Sequence, residues 1–183
     1  MKVLTICGSL RTASFNRKLL KLATKVAENL GAEVEDADLK KINLPMYDQD
    51  IEEAGMPANV VAFKKMVEQA DILIIASPEY NYSITGALHN AIDWLSRGGN
   101  SLNNKTVAMM GASPGPFGTV RGQNDLRQVL SALNVQFLSQ PQMLLRSAAQ
   151  AFAQDDSLVD PKGQEVLEQL IKNTFDFHNK LKV

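Results

Sequence analysis

The fold is decided close to the N-terminus, by the stretch Gly8-Ser9-Leu10-Arg11-Thr12-Ala13-Ser14-Phe15-Asn16. In front of it stands Val3-Leu4-Thr5-Ile6-Cys7, an apolar run typical of a buried β-strand. Behind it, apolar residues recur at helical spacing from Leu19 to Leu30. The stretch is therefore predicted to join the carboxyl end of a strand to the N-terminus of a helix.

A loop in this position is suited to hold an anion. The first backbone N–H groups of a helix lack partners within it, and the helix dipole attracts negative charge. The stretch adds the hydroxyls of Ser9, Thr12 and Ser14, the amide of Asn16 and the guanidinium of Arg11. These donors match the oxygens of a phosphate monoester. Because the pattern G-x-G-x-x-G is absent, a mononucleotide phosphate is favoured over a dinucleotide pyrophosphate.

The composition restricts the classes of function. The chain has 183 residues, 45% hydrophobic and 21% charged, as expected of one domain spanning residues 1–183. A net charge of -1 gives no bulk attraction to nucleic acid or to an anionic membrane. With one cysteine and two histidines, an internal disulfide is excluded and no metal site is expected. The first strand leaves no room for a signal peptide, and no apolar run reaches membrane-spanning length, so we expect a cytoplasmic protein.

Strand-like and helical patterns alternate along the rest of the chain. Further strands are predicted at 32–37, 71–77, 106–111 and 135–138. Further helices are predicted from Pro57, over 84–95, around 126–133 and from Asp160 to Leu181. Such alternation is typical of a parallel sheet covered on both faces. We predict a flavodoxin-like, doubly wound α/β fold with five parallel strands in the order 2-1-3-4-5 and helices on both faces.

Two further loops are expected beside the first. In a sheet of this order, ligands bind outside the carboxyl ends of the strands, where the strand order reverses. The loop after the third strand is Ser77-Pro78-Glu79-Tyr80-Asn81-Tyr82-Ser83, whose proline stiffens a backbone that can meet a planar ring. The loop after the fourth strand, residues 111–119, holds three glycines and two prolines and leaves room for a ring system. All three loops are predicted to line one crevice.

Each loop also has a purely structural interpretation, which the residues alone leave open. Gly8 would make a turn, Ser14 would cap the helix and Arg11 would be solvated. The other two loops would be a capped turn and a glycine-rich crossover. Trp94 is expected in the core, with a dimer face as the alternative, and His178 is expected to be exposed.

These motifs resemble the NADPH-dependent FMN reductase family, and within it the chromate/quinone reductase branch. The family patterns G-S-x-R-x-x-S-x-N, S-P-E-Y-N-x-S and N-A-x-D-W are matched from Gly8, Ser77 and Asn90. The patterns L-P-x-Y-D-x-D and L-R-Q-x-L are matched from Leu44 and Leu126. The resemblance extends from residue 4 to about residue 130.

The resemblance implies an FMN-dependent NAD(P)H oxidoreductase with FMN held non-covalently and NADPH or NADH as transient donor. Its ping-pong reaction would deliver electrons to a quinone, chromate, an azo dye or free flavin. No side chain is assigned as catalytic, because flavin N5 carries the chemistry. A homodimer or homotetramer is implied, with no nucleic-acid or membrane partner. The cofactor-binding residues implied are Ser9, Arg11, Ser14, Phe15, Asn16, Pro78, Glu79, Tyr80, Asn81 and Ser113.

The chain departs from the family pattern at three positions. Thr85 and His89 stand where relatives often carry proline and lysine, and are expected to affect subunit contacts. Thr119 replaces a common glycine and is expected to narrow the fourth loop. Arg121 and Arg127 would attract an anionic acceptor or, alternatively, be solvated or ion-paired.

Two other functions are weighed against the reductase. A flavodoxin-type electron carrier would bind FMN without using nicotinamide, and a regulatory module would bind a nucleotide without any redox role. Carriers usually have a threonine-rich phosphate loop without arginine and a strongly acidic surface. The presence of Arg11 and the net charge of -1 therefore favour the reductase.

Overall fold

A six-stranded parallel sheet forms the centre of the computed structural model, which describes residues 1–182. Its strands are β1 (Lys2–Cys7), β2 (Glu33–Ala37), β3 (Ile72–Ala76), β4 (Thr106–Ala112), β5 (Gln136–Phe137) and β6 (Met143–Leu145). They follow the order β2-β1-β3-β4-β5, and β6 also pairs with β4. The predicted flavodoxin-like order is confirmed.

The edge beside β4 is shared by two short strands where the sequence predicted one. β5 pairs with the start of β4 at Thr106 and Val107, and β6 pairs with its end, from Met110 to Ala112. The residues between the two strands include Pro141, which has no N–H to donate to a ladder. Because β6 pairs with β4 as far as Ala112, it reaches the carboxyl end of β4 and borders the loop that follows.

Helices cover both faces of the sheet. The described residues form α1 (Phe15–Asn29), α2 (Leu39–Ile42), α3 (Gln49–Ala54), α4 (Ala58–Gln69), α5 (Gly86–Ser96), α6 (Val120–Ala132), α7 (Ala148–Ala151) and α8 (Pro161–Leu181). Ile72 and Ile74 of β3 face α1 and α8, while Leu73 and Ile75 face α4, α5 and α6. All five residues of β3 are buried, as expected of a central strand. No described helix has both the length and the apolar character needed to cross a membrane.

Trp94 is a core residue, as the sequence predicted. It is fully buried, and its indole N–H donates to the Pro45 carbonyl at 2.8 Å. The Asn90 carboxamide donates to the same carbonyl at 2.9 Å and accepts from the Tyr47 N–H at 2.7 Å. Pro45 and Tyr47 are thereby fixed on α5, and the alternative of Trp94 as a dimer face is wrong, because the side chain is fully buried within the chain.

His178 is buried, and the prediction that it is exposed is wrong. Its Nδ1 lies 2.9 Å from Thr106 Oγ1, while its Nε2 has no hydrogen-bond partner within residues 1–182. The nearest carboxylate oxygen, Asp71 Oδ1, is 3.8 Å from Nε2. His178 shares one face of α8 with Ile171 and Phe175, because these positions are spaced at about 3.6 residues per turn.

We expect His178 to make the protein less stable in mild acid. Burial, assisted by the Lys182 charge, lowers the pKa of His178 below its ordinary value, against the opposing effect of Asp71. Below pH ~6.5 the unfolded chain therefore binds more protons than the folded one, and stability falls as the pH falls. Urea unfolding at two pH values either side of this pKa tests the effect. The His178→Gln variant should lose part of the native pH dependence, and an unchanged dependence would contradict the assignment.

Candidate functional site

Three loops converge at the carboxyl edge of the sheet, as the sequence predicted. They follow β1, β3 and β4. The first two are joined by a hydrogen bond of 2.6 Å from the Thr85 hydroxyl to the Gly8 carbonyl. The first is also joined to the end of β4, because the Asn16 side chain bonds the backbone of Ala112. The loops thus form one connected surface at the point where the strand order reverses.

The loop after β1 presents unpaired donors above the N-terminus of α1. Ser14 caps this helix, since its hydroxyl accepts from the Asn16 N–H at 3.2 Å. Within the described chain, the backbone N–H groups of Leu10, Thr12 and Ala13 have no hydrogen-bond partner. Such a set of free N–H groups at a helix N-terminus is suited to an anion.

Arg11 adds a free positive charge to this loop. Among residues 1–182, no carboxylate pairs with its guanidinium, which lies 5.4 Å from the centre of the Phe15 ring. Ser9 is buried in the same loop and accepts weakly from the Arg11 N–H, at 3.4 Å. The guanidinium is therefore available to a phosphate, which it can bind through two parallel hydrogen bonds.

Asn16 lies beneath the loop and is buried. Its carboxamide donates to the Ala112 carbonyl at 2.9 Å and accepts from the Ala112 N–H at 2.8 Å. These contacts hold the loop against the end of β4. The role of Asn16 as a phosphate ligand stays a prediction, and the observed role is structural.

The loop after β3 turns back on itself through a two-residue hairpin. Tyr80 and Ser83 exchange backbone hydrogen bonds of 2.9 and 3.0 Å. The two residues between them, Asn81 and Tyr82, have φ values of 51° and 69°. Asparagine tolerates this left-handed conformation, whereas a tyrosine there costs about 1 kcal/mol. The turn leaves Tyr80 and Tyr82 exposed, and Pro78, which precedes it, is half-buried.

Glu79 uses its carboxylate to cap α6. It accepts from the N–H groups of Arg121 and Gly122 at 3.0 and 3.1 Å, and from Arg121 Nε at 2.6 Å. Burial alone would raise the pKa of Glu79, but the Gly122 N–H and the Arg121 guanidinium outweigh it and lower the pKa. The carboxylate is therefore ionised and fully engaged. The interpretation of Arg121 as an ion-paired arginine is confirmed, and its guanidinium also lies 4.0 Å from the ring centre of Tyr82.

The loop after β4 is shaped by its contact with the sheet. Ser113 is half-buried, and its hydroxyl accepts from the Gly115 N–H at 3.1 Å. Thr119 is buried, and its Oγ1 would lie only 1.9 Å from a Cβ atom at Gly111. Thr119 therefore packs on β4 where Gly111 leaves room, and its effect on the width of the loop stays a prediction.

Thr85 organises the site, a role that was not predicted from the sequence. Besides its bond to the Gly8 carbonyl, the Thr85 hydroxyl accepts from the Leu88 N–H at 3.2 Å and so caps α5. A threonine just before an apolar helical repeat is a cap signal that could have been found. The bond to Gly8 spans 77 positions in the chain, and no local pattern indicates it.

We expect the Thr85→Val variant to be about 2 kcal/mol less stable than the native protein, because it loses the cap and leaves the Gly8 carbonyl unpaired. Thr85→Ser keeps the hydroxyl and serves as the matched control, with a change below about 0.5 kcal/mol. Urea unfolding of both variants measures the difference. Equal midpoints for the two variants would show that the hydroxyl is unimportant.

The chain is similar along most of its length to known oxidoreductases. The sequence model of the NADPH-dependent FMN reductase family matches residues 1–150. An NAD(P)H-dependent FMN reductase of Pseudomonas aeruginosa is 41% identical over 173 residues, which cover 94% of this chain and 92% of that protein. A quinone reductase of Escherichia coli K12 is 38% identical over 172 residues, covering 92% and 86%. The solved structure of FerB, a flavoenzyme NAD(P)H:(acceptor) oxidoreductase from Paracoccus denitrificans, has a TM-score of 0.88 and 34% identity, and covers 98% of this chain and 97% of that one.

Proposed function

Because the chain belongs to the NADPH-dependent FMN reductase family, we propose that the three loops at the carboxyl edge of its sheet form the FMN site. The protein is an FMN-dependent oxidoreductase that takes its electrons from NAD(P)H. When bound, FMN supplies the redox chemistry, by accepting a hydride from NAD(P)H and returning two electrons to an acceptor. The protein supplies binding, orientation and charge.

The unpaired guanidinium of Arg11 is the observation that carries this proposal. It belongs to the same loop as the unpartnered backbone N–H groups of Leu10, Thr12 and Ala13, before the N-terminus of α1. A phosphate monoester is doubly charged near neutral pH, and its oxygens would accept hydrogen bonds from donors of this kind. The hydroxyls of Ser9 and Ser14 would complete the phosphate end, with Phe15 and Asn16 supporting the loop.

The other two loops would hold the ring end. Pro78, Tyr80 and Asn81 belong to the tight turn after β3 and would contact the ring largely through their backbone. Glu79 would act indirectly, because its carboxylate is engaged in capping α6. Ser113 would donate to the polar edge of the ring, where negative charge develops on reduction.

A small quinone is the acceptor that we propose, since several relatives bear the name quinone reductase or quinone oxidoreductase. Chromate, azo dyes and free flavin are further candidate acceptors, because each can take electrons from a reduced flavin that it can reach. NAD(P)H and the acceptor would occupy this site in turn. Initial rates with NADPH and 1,4-benzoquinone should give parallel double-reciprocal lines. Intersecting lines would contradict the proposal that NAD(P)H leaves the site before the acceptor binds.

We also propose that residues 1–183 act as one domain, of which Val183 lies outside the described residues.

We propose further that the chain forms a homodimer or homotetramer in the cytoplasm. Exposed apolar side chains support the assembly: Leu10 and Met46 are 46% and 73% exposed beside a groove of about 340 Å³. Light scattering should report two or four copies. A monomer at micromolar concentration would contradict the proposal.

A further inference from the structure

The segment formed by residues 147–158 lies against the N-terminal turn of α1. Its Phe152 ring is parallel to the Phe15 ring, with an interplanar angle of 4° and 6.2 Å between centres. Lys18 Nζ lies 2.5 Å from Asp156 Oδ1 and 5.7 Å from the centre of the Phe152 ring. The segment follows the last motif of the sequence analysis, and none of its residues was predicted to serve the site.

The 147–158 segment is fixed independently of α1. The N–H groups of Ser147 and Ala148 donate to the carbonyls of Gly115 and Ser113, at 3.2 and 3.0 Å. Phe152 itself forms an antiparallel bridge with Leu158. The loop after β4 and the 147–158 segment thus make one scaffold, from which the Phe152 ring meets Phe15.

The Arg11 guanidinium lies beside this pair of rings. The carbon of the Arg11 guanidinium lies 5.4 Å from the centre of the Phe15 ring, in a cation–π contact. Phe15 is only half-buried, and its parallel neighbour is Phe152. A free arginine loses much rotamer entropy when it binds a ligand, and a supported one loses less. A neighbour that restricts the Phe15 ring would therefore also restrict the guanidinium that contacts it.

We propose that Phe152 is a positioning residue for the phosphate end of the site: it holds Phe15 in the orientation that supports Arg11. The inference rests on the proposed function, since it needs a phosphate monoester bound in the Gly8–Asn16 loop. It predicts that replacing Phe152 weakens the binding of a flavin that carries a phosphate and leaves the binding of one without it unchanged. FMN carries the phosphate and riboflavin does not, while the ring system is the same.

The test is the dissociation constant of riboflavin divided by that of FMN, each measured by flavin fluorescence quenching. The Phe152→Ala variant should bind FMN about two- to fivefold more weakly than the native protein, the range of an exposed cation–π contact, and should bind riboflavin as well as the native protein does. Phe152→Tyr should keep the native ratio. If Phe152→Ala fails to fold, Phe152→Leu keeps most of the buried volume without the ring and should lower the ratio.

A double variant separates positioning from general packing. Once Arg11 is replaced in Arg11→Met, the further change Phe152→Ala should cost no more FMN affinity. Equal loss of FMN and riboflavin in Phe152→Ala, or additive losses in the double variant, would overturn the inference alone. A native protein that binds FMN no more tightly than riboflavin would overturn the proposed phosphate site, and the inference with it.

Discussion

Replacing Asn16 by alanine will destabilise the protein by about 3 kcal/mol and weaken its binding of FMN and riboflavin alike. The Asn16 carboxamide is buried and makes two hydrogen bonds to the backbone of Ala112, at 2.9 and 2.8 Å. The variant leaves a buried N–H and a buried carbonyl without partners, each at a cost of about 1–3 kcal/mol. Because these bonds hold the loop after β1 against β4, the whole site should loosen.

Urea unfolding and flavin titration measure the two effects. Asn29→Ala is the matched control, because Asn29 is exposed on the same helix, and its stability should stay within about 0.5 kcal/mol of native. A different outcome would revise the role of Asn16. If stability and riboflavin affinity are unchanged while FMN affinity falls, Asn16 is a direct phosphate ligand, as the sequence predicted.

The Gly111→Ala variant should also be strongly destabilised, by about 3 kcal/mol. A Cβ atom at this position would lie 1.9 Å from Thr119 Oγ1 and 2.7 Å from the Ser77 carbonyl oxygen. Ser77 and Thr119 border the loops after β3 and β4, so relief of the overlap must displace both loops. Flavin affinity should fall together with stability.

Gly86→Ala is the control for Gly111→Ala. Nothing lies within 4 Å of a Cβ atom at Gly86, which is exposed at the start of α5. This control should be as stable as the native protein or slightly more so, by up to about 1 kcal/mol. The double variant Gly111→Ala/Thr119→Ala should recover part of the loss. Equal unfolding midpoints for Gly111→Ala and Gly86→Ala would contradict the packing described for β4.

The sequence predicts the sheet well because its signals are local. A strand such as β3 is apolar throughout, and the repeats of α1 and α8 extend over several turns. The short elements were not predicted, because three or four residues are too few to show the repeat of a helix or a strand. β6 has three residues, and α2 and α7 have four each. α2 still carries a local signal, since Asp38 caps it.

The sequence locates the site but does not assign the tasks of its side chains. The three loops can be predicted to meet, because the carboxyl ends of parallel strands share one edge. Which side chains serve the scaffold depends on distant partners: Asn16 bonds a residue 96 positions away, and Glu79 bonds one 42 positions away. Phe152 meets Phe15 in the same way, across two segments that no local pattern connects.

Anaerobic reduction of the FMN-loaded protein tests the central claim most directly. On mixing with NADPH, and separately with NADH, the flavin absorbance near ~450 nm should fall rapidly, and a quinone should restore it. The preferred donor is the one that reduces the flavin faster. If the absorbance persists with both donors while dithionite removes it, the protein is an electron carrier and does not use NAD(P)H.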